Sequence, residues 1–481
     1  MVAHPRDTVA ILGRPDEQAA VAAALLAVAL ADRDGRYGGG AVLVATAAAA
    51  LALLVALRGE TVWGPVRTEP PSARASSVKG LLGVMVAGFL VFDAVKPPAP
   101  GLVPARPPAF LALLGVAALV LATYVPPLDR ALSRLGAWRA RLRLAVWLAC
   151  AAGMGAVVIR AGRSPWIDVW LFQQEAARTL LAEANPYARP YPNLYGTLEF
   201  YGPAVADSAL VRGFPYPPET ILVGVPAYAL LGDVRFAMLA ALLVAAWLLA
   251  RLAPAGLGEL AAAALLFHPR TSYVLHQAWT EPTVLAAALG VVLALRWLAA
   301  RPRRWAVAAV AGALLLGAKQ YSPILAAPLV PALPRAVRAR AIALAVAVAG
   351  VVVLPFALWN PAALWRGVVA MQFLQPLRLD ALAWSAALVR LGVRPLPGML
   401  PFLVAAAVLV AAWPRRGELA QGVAAASAAF LLFVLSAKQA FLNYHWLANG
   451  LLLATCVLRA GARAQVSTEP DTCSTASASA S

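Results

Sequence analysis

PPLDRALSRLGAWRARLRLAVWLACAAGMGAVVI (126–159) is the stretch on which the reading of this chain turns. Its first half carries Arg130, Arg134, Arg139, Arg141 and Arg143 against one acid, Asp129; its second half, 144–159, carries no charge. A basic cluster feeding an uncharged run is the signature of a helix entering a bilayer from the cytoplasmic side, where positively charged loops are retained. The same alternation recurs at Arg296/Arg301/Arg303/Arg304, Arg335/Arg338/Arg340, Arg415/Arg416 and Arg459/Arg463.

Composition points the same way. Hydrophobic residues make up 62% of the chain and charged ones 13%, and a soluble domain so apolar could not cover its surface with polar groups. The formal charge of +18 would suit a nucleic acid. Here, however, the basic residues sit between apolar runs, as anchors beside anionic headgroups, so the partners are membrane lipids and nucleic-acid binding is excluded. Cys150 and Cys456 lie inside apolar runs and Cys473 in the tail, with no disulfide framework or metal spacing. His4, His268, His276 and His445 form no HExxH-type pattern. Acids precede the first apolar run and no cleavage site does, so a removable signal peptide is not expected.

The apolar runs 40–57, 80–96, 109–125, 144–159, 234–252, 281–300, 304–318, 339–358, 395–413, 418–436 and 442–458 each read as a span. Residues 321–334 are short and Pro-rich, and 18–31 are short enough either to span or to lie on the surface. The expected fold is therefore all-α and polytopic, with about 12–14 transmembrane helices, since open strands cannot satisfy their backbone in lipid. With 126–143 in the cytoplasm, 160–216 lies outside, as do 268–280, 319–321, 359–394 and 438–439. The two ends of the chain agree only if 217–267 crosses an even number of times. One of its three apolar segments must then be re-entrant or broken. The tail from Gln465 is rich in Ser, Thr and Ala and reads as a disordered cytoplasmic segment.

The external loops hold the residues that can carry chemistry. Asp168, in SPWIDVWLFQQEA, opens a helical-looking piece to Ala184 and is the first acid after its span. Such a carboxylate can act as a general base, or simply favour a helix start. Glu175, at i+7, is the backup. Arg378 and Asp380 lie in QPLRLDAL (Gln375 to Leu382); an external arginine invites a phosphate, a lipid phosphate or the neighbouring acid. Leu374, Leu377, Leu379, Leu382 and Leu388 read as the apolar side of an interfacial helix. Lysine occurs only at 79, 96, 319 and 438, and Lys319 and Lys438 both open Lys-Gln pairs at external helix ends. They are phosphate ligands or interfacial anchors. Asn443, Tyr444 and His445 enter the last span, His445 as a proton carrier or a hydrogen-bonded packing residue. Glu281-Pro282 suits a helix start, and a metal held by His276 and Glu281 is conceivable from residue type but not specified by spacing.

These pieces, in order and on one side, resemble the GT-C glycosyltransferases, closest to the bacterial polyprenol-phosphate-sugar-dependent mannosyltransferases of family 87. The matching residues are Asp168, FPYPPE (Phe214 to Glu219, with Tyr216), QPLRLDAL and KQAFLNYHW, within 160–458. The resemblance implies a catalytic core over 144–464, with extra helices in 1–143 and the tail over 465–481, in a bacterial plasma membrane. It implies a polyprenyl-phosphate-linked sugar as donor, mannose foremost, and a lipid, glycan or protein hydroxyl as acceptor. Asp168 would be the base of an inverting transfer at the extracytoplasmic face. Arg378, Lys319 and Lys438 would meet the departing phosphate, with Gln375, Asp380, His445, Tyr216 and Glu175 as further substrate contacts. No cofactor is assigned, and a divalent metal is left open.

A lipid or polysaccharide transporter, or an export-linked polymerase, is the alternative. It predicts charge at mid-span, whereas the spans here are Ala/Leu/Val-rich with Asp93 near an edge. A purely structural membrane protein is a third reading. The sidedness is directly checkable: cysteines placed at positions 170 and 384 should react with the same membrane-impermeant reagent from one face, and reaction from opposite faces would remove the shared site.

Overall fold

The computed structural model describes residues 14–58, 71–99, 102, 105–414 and 417–466. Arg415, Arg416 and the tail beyond Val466 lie outside the described residues. The chain is a bundle of helices with one short two-stranded antiparallel ribbon, Pro190–Pro192 against Leu210–Arg212. Among the described residues, six helices are long and apolar enough to cross a membrane: Gly39–Leu57, Ser77–Val95, Trp138–Ala161, Glu281–Leu298, Arg335–Trp359 and Leu419–Ser436. The number rises to eight if each of two bent pairs is one span. This is a multi-pass, all-α membrane architecture.

The count is below the 12–14 read from apolar runs, for local reasons. Pro218–Leu231 and Arg235–Arg251 meet at a 114° bend, where Gly232 takes a φ of 76°. The break anticipated within 217–267 thus falls at 232–234, followed by the short helix Leu257–Leu266. Pro108–Ala122 bends by 78° into the Arg-rich Pro126–Leu135. Trp305–Ala318, Ser322–Ala332 and Leu400–Ala411 are apolar but short. The last helix, Leu442–Val466, is long, but Asn443, His445 and Asn449 lower the apolarity of its first turns.

Leu419–Ser436 is the centre of the bundle, 83% of its apolar window being buried, whereas Arg335–Trp359 is peripheral at 17%. Small side chains let helices approach closely in lipid, and polar ones tie them across. Pro15–Ala31 buries Ala19, Ala20, Ala22, Ala23 and Ala27 and packs on Gly39–Leu57 and Leu442–Val466. Asn449 Nδ2 donates to the Ala23 carbonyl at 2.6 Å, and Ser427 and Thr455 hydroxyls meet at 3.2 Å. The helices before residue 143 are therefore packed into the same core as the last two.

The stretches expected outside the membrane form one layer. The stretch from Leu374 to Leu388, expected as an interfacial helix, is broken: Met371–Leu374 and Trp384–Arg390 are helical, and 375–383 between them is an irregular segment with a turn at 379–380. Pro376 has no backbone N–H to give a helix, and the segment bonds elsewhere: Arg378 N–H to the Lys438 carbonyl (3.1 Å) and Leu382 N–H to the Ala440 carbonyl (2.8 Å). Leu382 accordingly faces the core, fully buried, rather than lipid. Before this segment, Pro361–Leu374 is helical with a π-turn over Arg366–Ala370. At that turn Gly367 lies so close to Phe214 that a Cβ would stand 2.3 Å from the Phe214 carbonyl oxygen. Gly367→Ala should therefore cost about 1–3 kcal/mol, read as a lowered melting temperature of the solubilised protein. Gly350→Ala, mid-helix with nothing within 4 Å, is the control that should not lower it and can raise it slightly, since alanine favours a helix interior over glycine.

Candidate functional site

The position of Asp168 is set by what holds the chain on either side of it. Arg235, fully buried, donates to the carbonyls of Ile159 (3.0 Å) and Gly162 (2.7 Å), so it caps the C-terminal end of Trp138–Ala161. Its charge is balanced by Asp233 at 2.6 Å. The helix Asp168–Leu181 then starts from extended Ile167 and is fastened by two glutamines. Gln173 Nε2 donates to the Ala278 carbonyl at 2.7 Å, and Gln174 bonds both the Gly232 carbonyl and the Val234 N–H. Asp168 therefore stands at the first helical position, and Gln174, six residues on, ties the helix to the Gly232 bend.

Around that carboxylate the Tyr/Pro-rich loop closes. Asp168 Oδ1 accepts from the Val169 N–H (2.8 Å) and the Tyr195 hydroxyl (3.2 Å); Oδ2 accepts from the Tyr201 hydroxyl (2.6 Å). Burial pushes the Asp168 carboxyl above its ordinary value, and the two tyrosines, the Val169 N–H and the charge of Arg378 offset only part of that rise. Burial, and then the charge of Asp168, drives the hydroxyls of Tyr195, Tyr201 and Tyr216 upward, so they stay protonated and act as donors. Asp168 as a whole residue is nonetheless half-buried rather than buried.

From Asp168 an aromatic relay leads to Arg378. Tyr195 stacks on Phe200 with ring centres 4.2 Å apart, and the Arg378 guanidinium lies 4.0 Å from the Phe200 ring centre. Phe441 is on its other side at 5.0 Å. Arg378 is bound in a fork by both oxygens of Asp380, at 2.9 and 2.8 Å. Of the two, Asp380 is the more exposed, 37% against 17%, so Asp380 is the partner that can give way to an incoming anion.

The remaining expected residues divide. Lys438 Nζ donates to the Phe373 carbonyl at 2.8 Å and to the Gln375 carbonyl, clipping the segment that carries Arg378. Burial lowers its ammonium from the ordinary value. Gln375 thus contributes a backbone oxygen to that clip. His445 is buried, with Nε2 2.9 Å from the Leu382 carbonyl, and anchors the far end of the same segment. Glu175 is not brought to Asp168: seven residues along a helix is about 10 Å, and it pairs with Arg178 (2.6 Å) and Arg189 (3.4 Å) on the outer side. Lys319, fully inside, pairs with Glu281 at 3.2 Å and lies 4.8 Å from the Tyr216 ring.

The conceivable His276–Glu281 metal pair does not form. The His276 ring meets Gln277 at 2.9 Å and packs on Gly162, while Glu281 is taken by Lys319 and Tyr321. Among the described residues no group of three His, Cys, Asp or Glu side chains is placed to hold a metal ion. The residues that sequence reasoning missed are Tyr195, Tyr201 and the Glu281–Lys319 pairing. The aromatic loop and the Lys-Gln-Tyr motif were visible, but which hydroxyl reaches which carboxylate depends on the fold. Comparison with protein-family models, with curated proteins and with solved structures finds no match for this chain.

Because the folded chain holds the Asp168 proton more tightly than the unfolded chain does, this group favours folding most at low pH. Its contribution is complete below the ordinary value of 3.8 and is lost as pH rises through the raised folded value. In thermal melts across that window, wild type should lose stability relative to Asp168→Asn as pH rises; parallel curves would show that the shift is absent.

Proposed function

We propose that this chain is an integral-membrane glycosyltransferase. It moves a sugar, mannose foremost, from a polyprenyl-phosphate donor to a hydroxyl of a lipid, glycan or protein acceptor at the extracytoplasmic face. The observation that carries this reading is the environment of Asp168: a carboxylate made more basic by burial, set among tyrosine hydroxyls at one end of a membrane bundle, within reach of the charge of Arg378.

Such a group suits the removal of a proton from an attacking hydroxyl. As the acceptor oxygen bonds to the anomeric carbon, its proton passes to Asp168. The bond from that carbon to the phosphate oxygen breaks with its electron pair, and the attack from the opposite side inverts the centre. Negative charge then grows on the departing phosphate, and a guanidinium nearby lowers the barrier. Arg378 fits that part best of the three expected cations. Lys319 is compensated by Glu281 and Lys438 is spent on backbone carbonyls, whereas Arg378 can exchange the exposed Asp380 for the phosphate. Lipid-facing helices such as Arg335–Trp359 are compatible with a prenyl chain lying beside the site.

The test is transfer of labelled sugar from a prenyl-phosphate donor in membranes holding the full chain. Asp168→Asn should lower the rate by about a hundredfold or more, the scale of a lost general base, with the protein still present and folded. Unimpaired transfer by that variant would remove Asp168 from the chemistry.

A further inference from the structure

Behind Tyr216, three segments meet that the reaction above leaves unused: the start of the helix Glu281–Ala300, the turn 319–322, and the entry to the last helix at 443–444. Glu281 is fully buried. Its Oε1 accepts from the Tyr321 hydroxyl at 3.0 Å and faces Lys319 Nζ at 3.2 Å. Its Oε2 has no partner. The hydroxyls of Thr280 and Ser322 and the side-chain oxygen of Asn443, all buried and all on these segments, also have none. Buried polar atoms are nearly always bonded, and an orphaned one calls for an explanation. Four on converging segments, one of them a carboxylate oxygen, mark a place built to receive donors from outside the chain.

The walls are aromatic. Lys319 Nζ lies 4.8 Å from the Tyr216 ring centre, 5.7 Å from that of Tyr444 and 6.0 Å from that of Tyr321. The charges of both Asp168 and Glu281 act on the Tyr216 hydroxyl, so the ring lies within electrostatic range of both carboxylates.

Its charge selects the occupant. The ammonium of Lys319 is already balanced by Glu281, so an entering phosphate would meet a carboxylate as well as a cation. A neutral polyol meets no such repulsion. Its hydroxyls can donate to Glu281 Oε2 while its C–H faces lie on tyrosine rings. We infer that Glu281, Lys319, Tyr216, Tyr321 and Tyr444 form a sugar-ring subsite, in which Glu281 accepts a hydroxyl hydrogen bond from the hexose. The inference rests on the glycosyltransferase reading and assigns its sugar-specificity residues.

The full chain in nanodiscs is titrated with three probes: farnesyl-phosphate mannose, farnesyl phosphate, and methyl α-mannoside. Glu281→Gln tests the acceptor. The double variant Glu281→Met/Lys319→Met removes the pair without leaving a lone buried charge, in case the single variant fails to fold. A hydrogen bond to a charged acceptor is worth about tenfold or more in affinity. Both variants should therefore weaken the two mannose probes by that factor and leave farnesyl phosphate unchanged. Equal binding of the mannose probes by wild type and a folded variant overturns the subsite while leaving the transferase reading intact. Binding of methyl mannoside in a Glu281-dependent way, without binding of either farnesyl probe, keeps the subsite and overturns the donor class. Binding of neither mannose probe by wild type overturns both, leaving a structural ion pair.

Discussion

A charge buried at the edge of a bilayer must find its partner inside the protein, because neither lipid nor bulk water supplies one. The layer that holds Asp168, Glu281 and Arg235 is organised by that requirement. Asp168 takes two tyrosine hydroxyls and a backbone N–H. Glu281 takes Lys319 and Tyr321. Arg235 takes Asp233 and the carbonyls at the end of a helix. The bonds of Asp168 to Tyr195 and Tyr201, of Glu281 to Lys319 and Tyr321, and of Arg235 to the helix-end carbonyls join segments distant in sequence, so satisfying the charges also assembles the layer. Two carboxylates end up within electrostatic range of Tyr216, one made basic by burial, the other with an oxygen to spare.

How much of this can be read in the sequence depends on the range of the interaction. Apolar runs and arginine clusters are local, and they suffice for a helical membrane protein and for grouping 160–216, 319–321, 359–394 and 438–439 together. The span count suffers where a local break intervenes, as at Gly232 or after Ala122. The leucines from 374 to 388 alternate loosely with polar residues, which suggests an interfacial helix, yet 375–383 is irregular. Its true partners, Lys438 and Ala440, lie some sixty residues on, beyond any local pattern. Lys438 itself was a candidate phosphate ligand by its side and scarcity; only the fold reveals that its donors are committed to two backbone carbonyls. Glu281 was legible as a helix start, and its buried pairing with Lys319 was not.

The helices before residue 143 take part in the same layer. The Tyr37 N–H donates to the Asp380 carbonyl at 2.9 Å, and Trp384 Nε1 donates to the Thr46 hydroxyl at 2.9 Å. Asp34 pairs with Arg270. They brace the segment of Arg378 alongside Lys438, so it is held by elements from both ends of the chain.

That bracing bears on how chemical inactivation of this protein is to be interpreted. The amine of Lys438 touches no candidate reacting atom, yet it tethers the segment bearing Arg378. An acylating reagent that neutralised this amine would free the segment and misalign the guanidinium, so inactivation by such a reagent would not identify Lys438 as a substrate ligand.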